Sequence, residues 1–528
     1  MIPLLARGLL AVLAASFVGM LVASLHWKMQ HDSPIMIYIA YLIDRLDRVP
    51  YVEIFDMNLP GTYAVHVLLG RIFGYGDFGF RLADLTWLLA IQGITFAALR
   101  PVSRRVAVGT ALLFGLAYLG FGPRRSLQRE FLLLLPLAGA LWAAARPAGL
   151  ALRWRALLVG VFCGAAAAIK PHAAMGLPVF LWFAHRAEGG RADGWVPALL
   201  GAAVGFLMPV CAVLGYLWAA GALAPFWDAA AGYWPLYAEI GQNLSIVSGP
   251  ERLPYLLKGW LRFGAGHYAN TPVAVWREGL VAWFPAAALG FAMSQRGGDA
   301  TQARVGRLLG ALALVFSVYP VVTGKFWGYH WLPFFYFVCG LAGLCLAPES
   351  GRRRLASGAV LAVLVVTTLS ALDWTAPLRL LAEGRGDVVA LNPRKRRPQE
   401  IGTFLRAHLE PGDTVQPLDW TGGAIHGMLL SRAELATSFV YDFHFYHHVD
   451  SAYIRALRAR FLRELEASQP RYVIEIRGLK PVVKTDAARS LFPALQAFLD
   501  AAYAPVHRGP GFVIYERRGY ATRRSPAS

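Results

Sequence analysis

Long apolar runs constrain this chain more than any other feature of its sequence. Hydrophobic residues make up 56% of the 528 positions, against about 45–50% in soluble domains, and the excess is gathered in separate stretches. Such runs cross a bilayer as helices, because a helix bonds its own backbone polar groups. The sequence therefore predicts a polytopic α-helical membrane protein with about eleven transmembrane helices. The runs cover residues 4–25, 80–99, 106–121, 131–145, 156–169, 172–185, 195–219, 279–293, 308–323, 331–347 and 355–372.

Basic loops between these runs set the predicted orientation. Arginines gather in the loops 100–105, 146–155, 186–191, 296–307 and 352–354. Cytoplasmic loops are enriched in Lys and Arg, so we expect these loops and the N-terminus inside and the C-terminus outside. The net charge of +19 has the same explanation, and nucleic acid is not expected as a partner.

The same rule decides two ambiguous runs. Residues 61–73 are too short to span, and we expect an interfacial helix on the outer face. The stretch 156–185 is interrupted by Lys170-Pro171-His172. Proline breaks the helical hydrogen-bond ladder, so two helices are expected to meet there at an outer-face turn.

An acidic loop follows the first run, from His26 to Pro60, and extends to residue 79. Asp32 stands a few residues past the first predicted span, where a carboxylate would meet a lipid-borne substrate. It is our candidate catalytic base; the alternative is an aspartate that caps the following helix. Asp56 is the second candidate acid, and its alternative is an ordinary turn residue before Asn58 and Pro60.

Several basic side chains fall on the predicted outer face, against the rule that orients the rest. Snorkelling to lipid head groups would explain any one of them. Together they suggest a site for an anionic group such as the phosphate of a lipid carrier. These candidates are Arg124, Arg125 and Arg129 beside Glu130, then Lys170 and His172, then Lys325 and His330 in the segment GKFWGYHW.

The predicted outer loop 221–278 is rich in aromatic residues. It is either an aromatic belt at the membrane interface or an apolar groove for a lipid tail with stacking faces for a sugar.

From residue 373 onward no further span is expected, and the pattern predicts a small soluble α/β domain. Helical patterning covers 399–409, 451–468 and 487–502, and β-rich runs cover 414–418, 438–441, 472–476 and 512–516. The segment DFHFYHHVD places three histidines, His444, His447 and His448, between Asp442 and Asp450. Its spacing matches no strong metal signature, so no metal site is predicted, although a divalent cation stays an alternative.

Five segments in chain order resemble a known family: HDSPIMIYIAYLIDRLDRVPYVEIFDMNLPGTY, FGFRLADL, LQREFLLLLPL, AAAAIKPHAAMGLPVFL and GKFWGYHWLPFFYF. Together they are similar to the GT-C superfamily of integral-membrane glycosyltransferases, in the branch with protein O-mannosyltransferases and bacterial aminoarabinose transferases. The resemblance covers most of 1–372 and implies a catalytic membrane domain there, followed by an extracytoplasmic domain at 373–528.

The resemblance also implies an activity. Such enzymes move a hexose or pentose from a polyprenyl-phosphate donor to a lipid, glycan or protein acceptor at the outer face of the bacterial inner membrane, in glycan biosynthesis of the cell envelope. Asp32 matches the catalytic carboxylate, Glu130 the second acidic position, and Tyr329 and His330 the late Tyr-His pair. The family often has Lys-Pro-Pro where this chain has Asn58-Leu59-Pro60, so other cations would have to hold the phosphate. No cofactor is implied.

Two other functions remain open from the residues. A transporter or flippase of lipid-linked sugars would use the same outer-face cations without a base. A polysaccharide polymerase or ligase would also act on lipid-linked sugars there.

Overall fold

The computed structural model describes residues 2–145, 150–186, 194–261, 280–296, 299–347, 352–372, 393–477 and 491–520. The predicted basic loops 146–155 and 186–191, the aromatic loop 221–278, the helix 487–502 and the start of the C-terminal domain at 373 lie partly outside these residues.

All eleven apolar runs contain an α-helix. Their bounds are Ile2–Ala23, Asp77–Leu99, Arg104–Gly120, Leu134–Ala145, Leu152–Ile169, Leu177–Arg186, Trp195–Ala219, Leu280–Arg296, Ala300–Ser317, Leu332–Gly343 and Arg352–Ser370. Among the described residues, six segments are long and apolar enough to cross a membrane, namely Arg7–His26, Asp77–Leu99, Leu152–Ile169, Trp195–Ala219, Ala300–Thr323 and Gly328–Leu346. The chain is thus a helical membrane protein, and the number eleven stays a prediction.

The two ambiguous runs fold as expected in secondary structure. Residues 61–73 form the helix Pro60–Phe73, with proline at its first position, where no intrahelical N–H bond is needed. The stretch 156–185 is divided after Ile169, where Lys170 is extended and a 3₁₀ turn covers Pro171–Gly176.

The chain divides into two compact units. One contains Met1–Trp27, Arg81–Gly215 and Ser248–Gly386, and the other contains Lys28–Phe80, Tyr216–Val247 and Asp387–Ser528. The acidic first loop therefore groups with the C-terminal residues.

Small residues bring helices together in the first unit, here called the helical unit. Gly160 and Gly164 lie on the Leu152–Ile169 helix and face the backbone carbonyls of Ala202 and Phe206. A side chain at either glycine would collide with that backbone, so glycine permits the close approach. The helical unit also contains the short helices Arg129–Leu132, Arg252–Leu261 and Tyr319–Thr323.

The second unit, here called the loop unit, is built on a five-stranded sheet. Its strands are β1 (Thr414–Leu418), β2 (Glu434–Leu435), β3 (Tyr472–Ile476), β4 (Tyr503–Gly509) and β5 (Phe512–Arg517). The order is β2-β1-β3-β5-β4, with β1 parallel to β2 and β3, and β5 antiparallel to β3 and β4. Beta-branched and aromatic residues in β1, β3 and β5 favour this pairing. The predicted α/β domain is confirmed.

The loop unit also contains α-helices. Their bounds are Ser33–Arg45, Pro60–Phe73, Leu223–Ala238, Pro393–His408, Ala424–Ser431, Ala452–Ser468 and Pro493–Ala502.

One predicted strand, 438–441, is wrong, and β2 and β4 were not predicted. Side chains take the backbone bonds that a strand would need: Ser438 N–H donates to Glu464 (2.7 Å), and Gln416 donates to the Phe439 carbonyl (2.9 Å). The Ser438 carbonyl accepts from Phe55 N–H (2.7 Å). This hydrophobic segment is therefore a buried connection that binds the first loop.

The C-terminal residues hold the first loop through further bonds inside the loop unit. Tyr38 Oη donates to the Ala433 carbonyl (2.7 Å), and Trp234 Nε1 donates to the Met57 carbonyl (2.9 Å). A shared aromatic core includes Phe55, Tyr233 and Phe439. The sequences 28–80, 216–247 and 393–520 therefore form one packed body in their described parts.

Candidate functional site

A buried carboxylate lies at the centre of the basic residues in the helical unit. Glu130 belongs to the short helix Arg129–Leu132 and is fully buried. Its Oε1 accepts a hydrogen bond from Lys170 Nζ and lies 3.0 Å from His330 Nε2. The ion-pair partner of Glu130 is therefore Lys170, forty positions along the chain.

Lys170 reaches this carboxylate because the helix before it stops. Its N–H closes the last turn by donating to the Ala166 carbonyl (3.0 Å), and Pro171 then ends the ladder. The amine also lies 3.3 Å from His330 Nε2.

His330 is oriented by a backbone bond. Its Nδ1 lies 2.8 Å from the Lys325 carbonyl, which accepts only, so Nδ1 carries the proton. In a neutral ring Nε2 then offers its lone pair to the Lys170 ammonium. One lysine consequently bridges the carboxylate and the imidazole.

Electrostatics keep Glu130 charged. Burial alone would raise the pKa of Glu130, but the charge of Lys170 holds that pKa well below its ordinary value. The charge of Arg129 lowers the pKa of Glu130 too, by a smaller amount.

Two arginines border the segment 324–328, which carries Lys325. A Cβ at Gly324, whose φ is +63°, would collide with the guanidinium of Arg252, and a Cβ at Gly328 would collide with that of Arg125. Glycine at both positions therefore makes room for the two cations. Arg125 also rests on the Phe121 ring, 4.0 Å from its centroid.

Lys325 itself is almost fully buried, and it lies between two candidate spans. Burial, aided by the charges of Arg252 and Lys170, lowers the pKa of Lys325 to about 7. We call Arg125, Glu130, Lys170, Arg252, Lys325 and His330 the cation cluster.

The other predicted binding residues of the helical unit lie around the cation cluster and differ in how far they are buried. Tyr329 is buried, with its ring 4.6 Å from that of His330. The His172 ring lies 6.0 Å from that of Tyr319, whose own ring is 6.0 Å from Lys170 Nζ. Arg124 is exposed and Arg129 is half-buried.

Asp32 lies in the loop unit, at the start of the Ser33–Arg45 helix. Its side chain makes no capping hydrogen bond to that helix. Its Oδ2 instead lies 3.0 Å from His31 Nδ1, and 15% of the side chain is exposed. Asp32 therefore holds the N-cap position of this helix without capping it through its side chain. His31 adopts a left-handed φ of +58° and meets the edge of Trp420, 6.2 Å between ring centroids.

Asp56, also in the loop unit, is buried and fully engaged. It accepts hydrogen bonds from the hydroxyls of Tyr63 and Tyr441 (2.8 Å for Tyr441), from Asn58 Nδ2 (3.0 and 3.1 Å) and from Met57 N–H (2.6 Å). Burial and the charge of Asp56 raise the pKa of Tyr63 and Tyr441 well above the ordinary value, so both stay hydroxyl donors.

A second acid fixes the chain just before Asp32. Asp77 accepts from Met29 N–H (2.9 Å), and His426 Nε2 lies 3.0 Å from the same carboxylate oxygen. The approach to Asp32 is thus tied to the helix Ala424–Ser431.

The histidine-rich segment forms a hydrogen-bonded chain. His447 lies 2.8 Å from Tyr233 Oη and 2.9 Å from His448, whose other nitrogen lies 2.9 Å from Glu239. Within the described residues, no group of three or more His, Cys, Asp or Glu side chains is arranged to hold a metal ion.

Sequence reasoning missed Arg252, Tyr63 and Tyr441. Arg252 stands in the aromatic loop, and a single arginine there matches no recognisable sequence pattern. The two tyrosines are recognisable only through their contacts with Asp56.

Comparisons with known proteins give matches in structure alone. No family model matches the chain, and no curated protein matches it in sequence. The crystal structure of ArnT from Cupriavidus metallidurans bound to undecaprenyl phosphate matches 96% of this chain and 98% of that chain, with a TM-score of 0.61 and 12% identity. The apo structure of the same ArnT matches 97% and 98%, with a TM-score of 0.56 and 14% identity. This chain therefore has the fold of ArnT over nearly its whole length, as the resemblance to aminoarabinose transferases predicted.

Proposed function

We propose that this protein is a membrane glycosyltransferase that takes a sugar from a polyprenyl-phosphate donor and transfers it to a lipid, glycan or protein acceptor. The observation that carries the proposal is the cation cluster. Four basic side chains and one buried carboxylate converge on a single segment of a chain whose fold is that of a protein crystallised with undecaprenyl phosphate.

The cation cluster is the phosphate site of this proposal. As the bond between the sugar C1 and the phosphate oxygen breaks, the leaving phosphate gains one negative charge. Arginine and lysine held in place before the reaction stabilise that charge without reorganisation. In this proposal Arg125, Arg252 and Lys325 supply the stabilising positive charge near the segment 324–328. The residues that line the approach to this phosphate site are Arg124, Arg129, His172 and Tyr329.

Glu130 organises the cluster in this mechanism. Its Oε1 holds Lys170 and so fixes the ammonium beside His330. Its Oε2 is buried with no hydrogen-bond partner among the described residues. That oxygen is available to accept a hydrogen bond from a hydroxyl or amine of the substrate.

Asp32 is the proposed base. A new bond forms between the acceptor oxygen and C1, and the acceptor proton passes to the Asp32 carboxylate. Asp32 suits this role better than Asp56, because its carboxylate is partly exposed and paired with His31. Asp56 accepts five hydrogen bonds from its own unit and suits a role in holding the first loop.

Location and domain roles complete the proposal. The catalytic membrane domain spans 1–372, the domain 373–528 is extracytoplasmic, and the reaction occurs at the outer face of a bacterial inner membrane. The donor sugar is a hexose or pentose, and the proposed steps use no metal or other cofactor.

The test uses purified full-length protein in detergent with undecaprenyl-phosphate-linked sugars and cell-envelope lipid acceptors, with products read by mass. Asp32→Asn and Lys170→Met are each expected to lower the transfer rate by about 100-fold, the size of effect seen when one charged contact to the transition state is removed. Glu53→Gln, in the same loop as Asp32, and Lys258→Met, an exposed lysine, are the matched controls and should retain activity.

Two outcomes contradict the proposal. Unchanged transfer by Asp32→Asn excludes Asp32 as the base. Movement of the lipid-linked sugar across liposomes with no new glycosidic bond makes the protein a flippase.

A further inference from the structure

Leu127 has a backbone conformation that needs outside support. It lies between the arginines at 124–125 and Glu130, and its φ is +47°. A leucine in the left-handed region is strained, and such residues persist where their surroundings over-determine them. The contacts around residues 125–127 are therefore informative.

A buried aspartate supplies that support. Asp84 Oδ1 accepts the Leu127 N–H (3.0 Å) and the hydroxyl of Tyr118 (2.5 Å). The Tyr118 hydroxyl also lies 3.3 Å from the Arg125 carbonyl. The loop backbone is thus held at Arg125 and at Leu127 by one carboxylate and one phenol.

Arg81 holds the other side of that carboxylate. It donates to Asp84 Oδ2 and to Ser126 Oγ (3.2 Å), and its guanidinium stacks over the Trp27 ring at 4.4 Å. Arg81 and Asp84 are fully buried inside the candidate span Asp77–Leu99. A buried ion pair is weak evidence for stability, whereas ionisable residues within a span are expected to serve function.

Tyr118 also reaches the residue after Glu130. Its ring is stacked on Phe131 at 3.9 Å, with an angle of 12° between the rings. One side chain consequently touches both ends of the stretch that carries Arg125 and Glu130.

We propose that Arg81, Asp84 and Tyr118 form a positioning network that fixes the 125–130 loop, so that Arg125 and Glu130 face the donor phosphate in the correct geometry. These residues act through the loop and do not contact the reacting atoms. The inference rests on the proposed glycosyl transfer, because Arg125 and Glu130 take their roles from it.

Tyr118→Phe tests the network while leaving the ring stack on Phe131 intact. It removes the hydroxyl that binds Asp84 and leaves the Arg81–Asp84 pair, so the protein is expected to fold. Tyr336→Phe is the matched control, because Tyr336 is equally buried and its hydroxyl bonds Thr95 (2.7 Å), away from the loop.

The readout is steady-state transfer with the full chain. Tyr118→Phe is expected to raise KM for the donor by about tenfold, the equivalent of one hydrogen bond to a charged group. Tyr336→Phe should change it less than about twofold. In an Arg125→Ala background the effect of Tyr118→Phe should become smaller, because one of the two side chains that the loop presents is gone.

The outcomes separate this inference from the function on which it rests. If Tyr118→Phe has the same KM for the donor as Tyr336→Phe while Lys170→Met still lowers the transfer rate, the positioning network alone is overturned. A Tyr118→Phe effect that persists in full in the Arg125→Ala background overturns it too, since the network would then act elsewhere. If Lys170→Met instead transfers the sugar at the wild-type rate, the proposed function is refuted.

Discussion

The pKa of Lys325 predicts how donor binding should depend on pH. Lys325 has a pKa of about 7 in the ligand-free protein, against an ordinary value of 10.5. That fall corresponds to roughly 5 kcal/mol of penalty on the charged form. A bound phosphate dianion would offset the penalty and return the pKa of Lys325 toward its ordinary value, so binding takes up a proton above pH 7.

The magnitude follows from the two protonation states. If the bound pKa is near 10.5, only the protonated fraction of the free protein binds well, and that fraction falls about tenfold per pH unit above 7. About half of the free protein is protonated at pH 7 and about 3% at pH 8.5, so the affinity for undecaprenyl phosphate should weaken by about 16-fold over this interval. The phosphate monoester itself is already a dianion over most of this range, since its second pKa is about 6.

The assay is calorimetric titration of the purified protein with undecaprenyl phosphate in detergent at several pH values. Lys325→Arg keeps its charge throughout and should bind with little pH dependence, whereas Lys325→Met should bind weakly at every pH. A wild-type affinity that is constant from pH 7 to 8.5 would refute the reasoning. An equal decline in Lys325→Arg would assign the titration to another group.

Two further changes test individual contacts. Gly328→Ala places a methyl group against Arg125 and should weaken donor binding by about tenfold as the guanidinium shifts. The control is Gly93→Ala, which has no neighbour within 4 Å and should leave the affinity unchanged. Equal titration curves for the two variants would contradict the contact between residue 328 and Arg125. Tyr441→Phe leaves buried Asp56 one donor short and should lower the unfolding free energy by about 1.5–3 kcal/mol. Tyr453→Phe, which loses a more exposed bond to Asp228, should cost less in thermal unfolding, and the reverse order would exclude Asp56 as the centre of that network.

Sequence reasoning succeeded where the signal is local. Apolar runs predict helices because the signal is a property of consecutive residues. Lys170-Pro171 predicts a helix break because proline removes a backbone hydrogen bond of the helix. It failed at 438–441, where β-prone residues give their backbone bonds to Glu464 and Gln416 side chains. Such a competition is decided by tertiary contacts and leaves no periodic pattern.

The candidate site shows the same division. Lys170 and His330 were selected as basic residues on the predicted outer face, and Glu130 through its match to the second acidic position of the family. Their mutual contact was not, because Lys170 lies 40 positions from Glu130 and 160 from His330. Arg252 was missed because its loop was interpreted through its aromatic residues.

The charges of the cation cluster explain why it should hold a ligand. Arg125, Lys170, Arg252 and Lys325 gather near one carboxylate, Glu130, so the cluster carries excess positive charge away from bulk water. Buried like charges repel, and the protein relieves the repulsion at the group that deprotonates most easily, which is a lysine and not an arginine. Burial, aided by the charges of Arg252 and Lys170, accordingly lowers the pKa of Lys325. A phosphate dianion restores the balance, and the extra charge that it gains when the sugar leaves is better stabilised than the charge of the intact donor. The same excess that binds the donor therefore favours the transition state over the ground state.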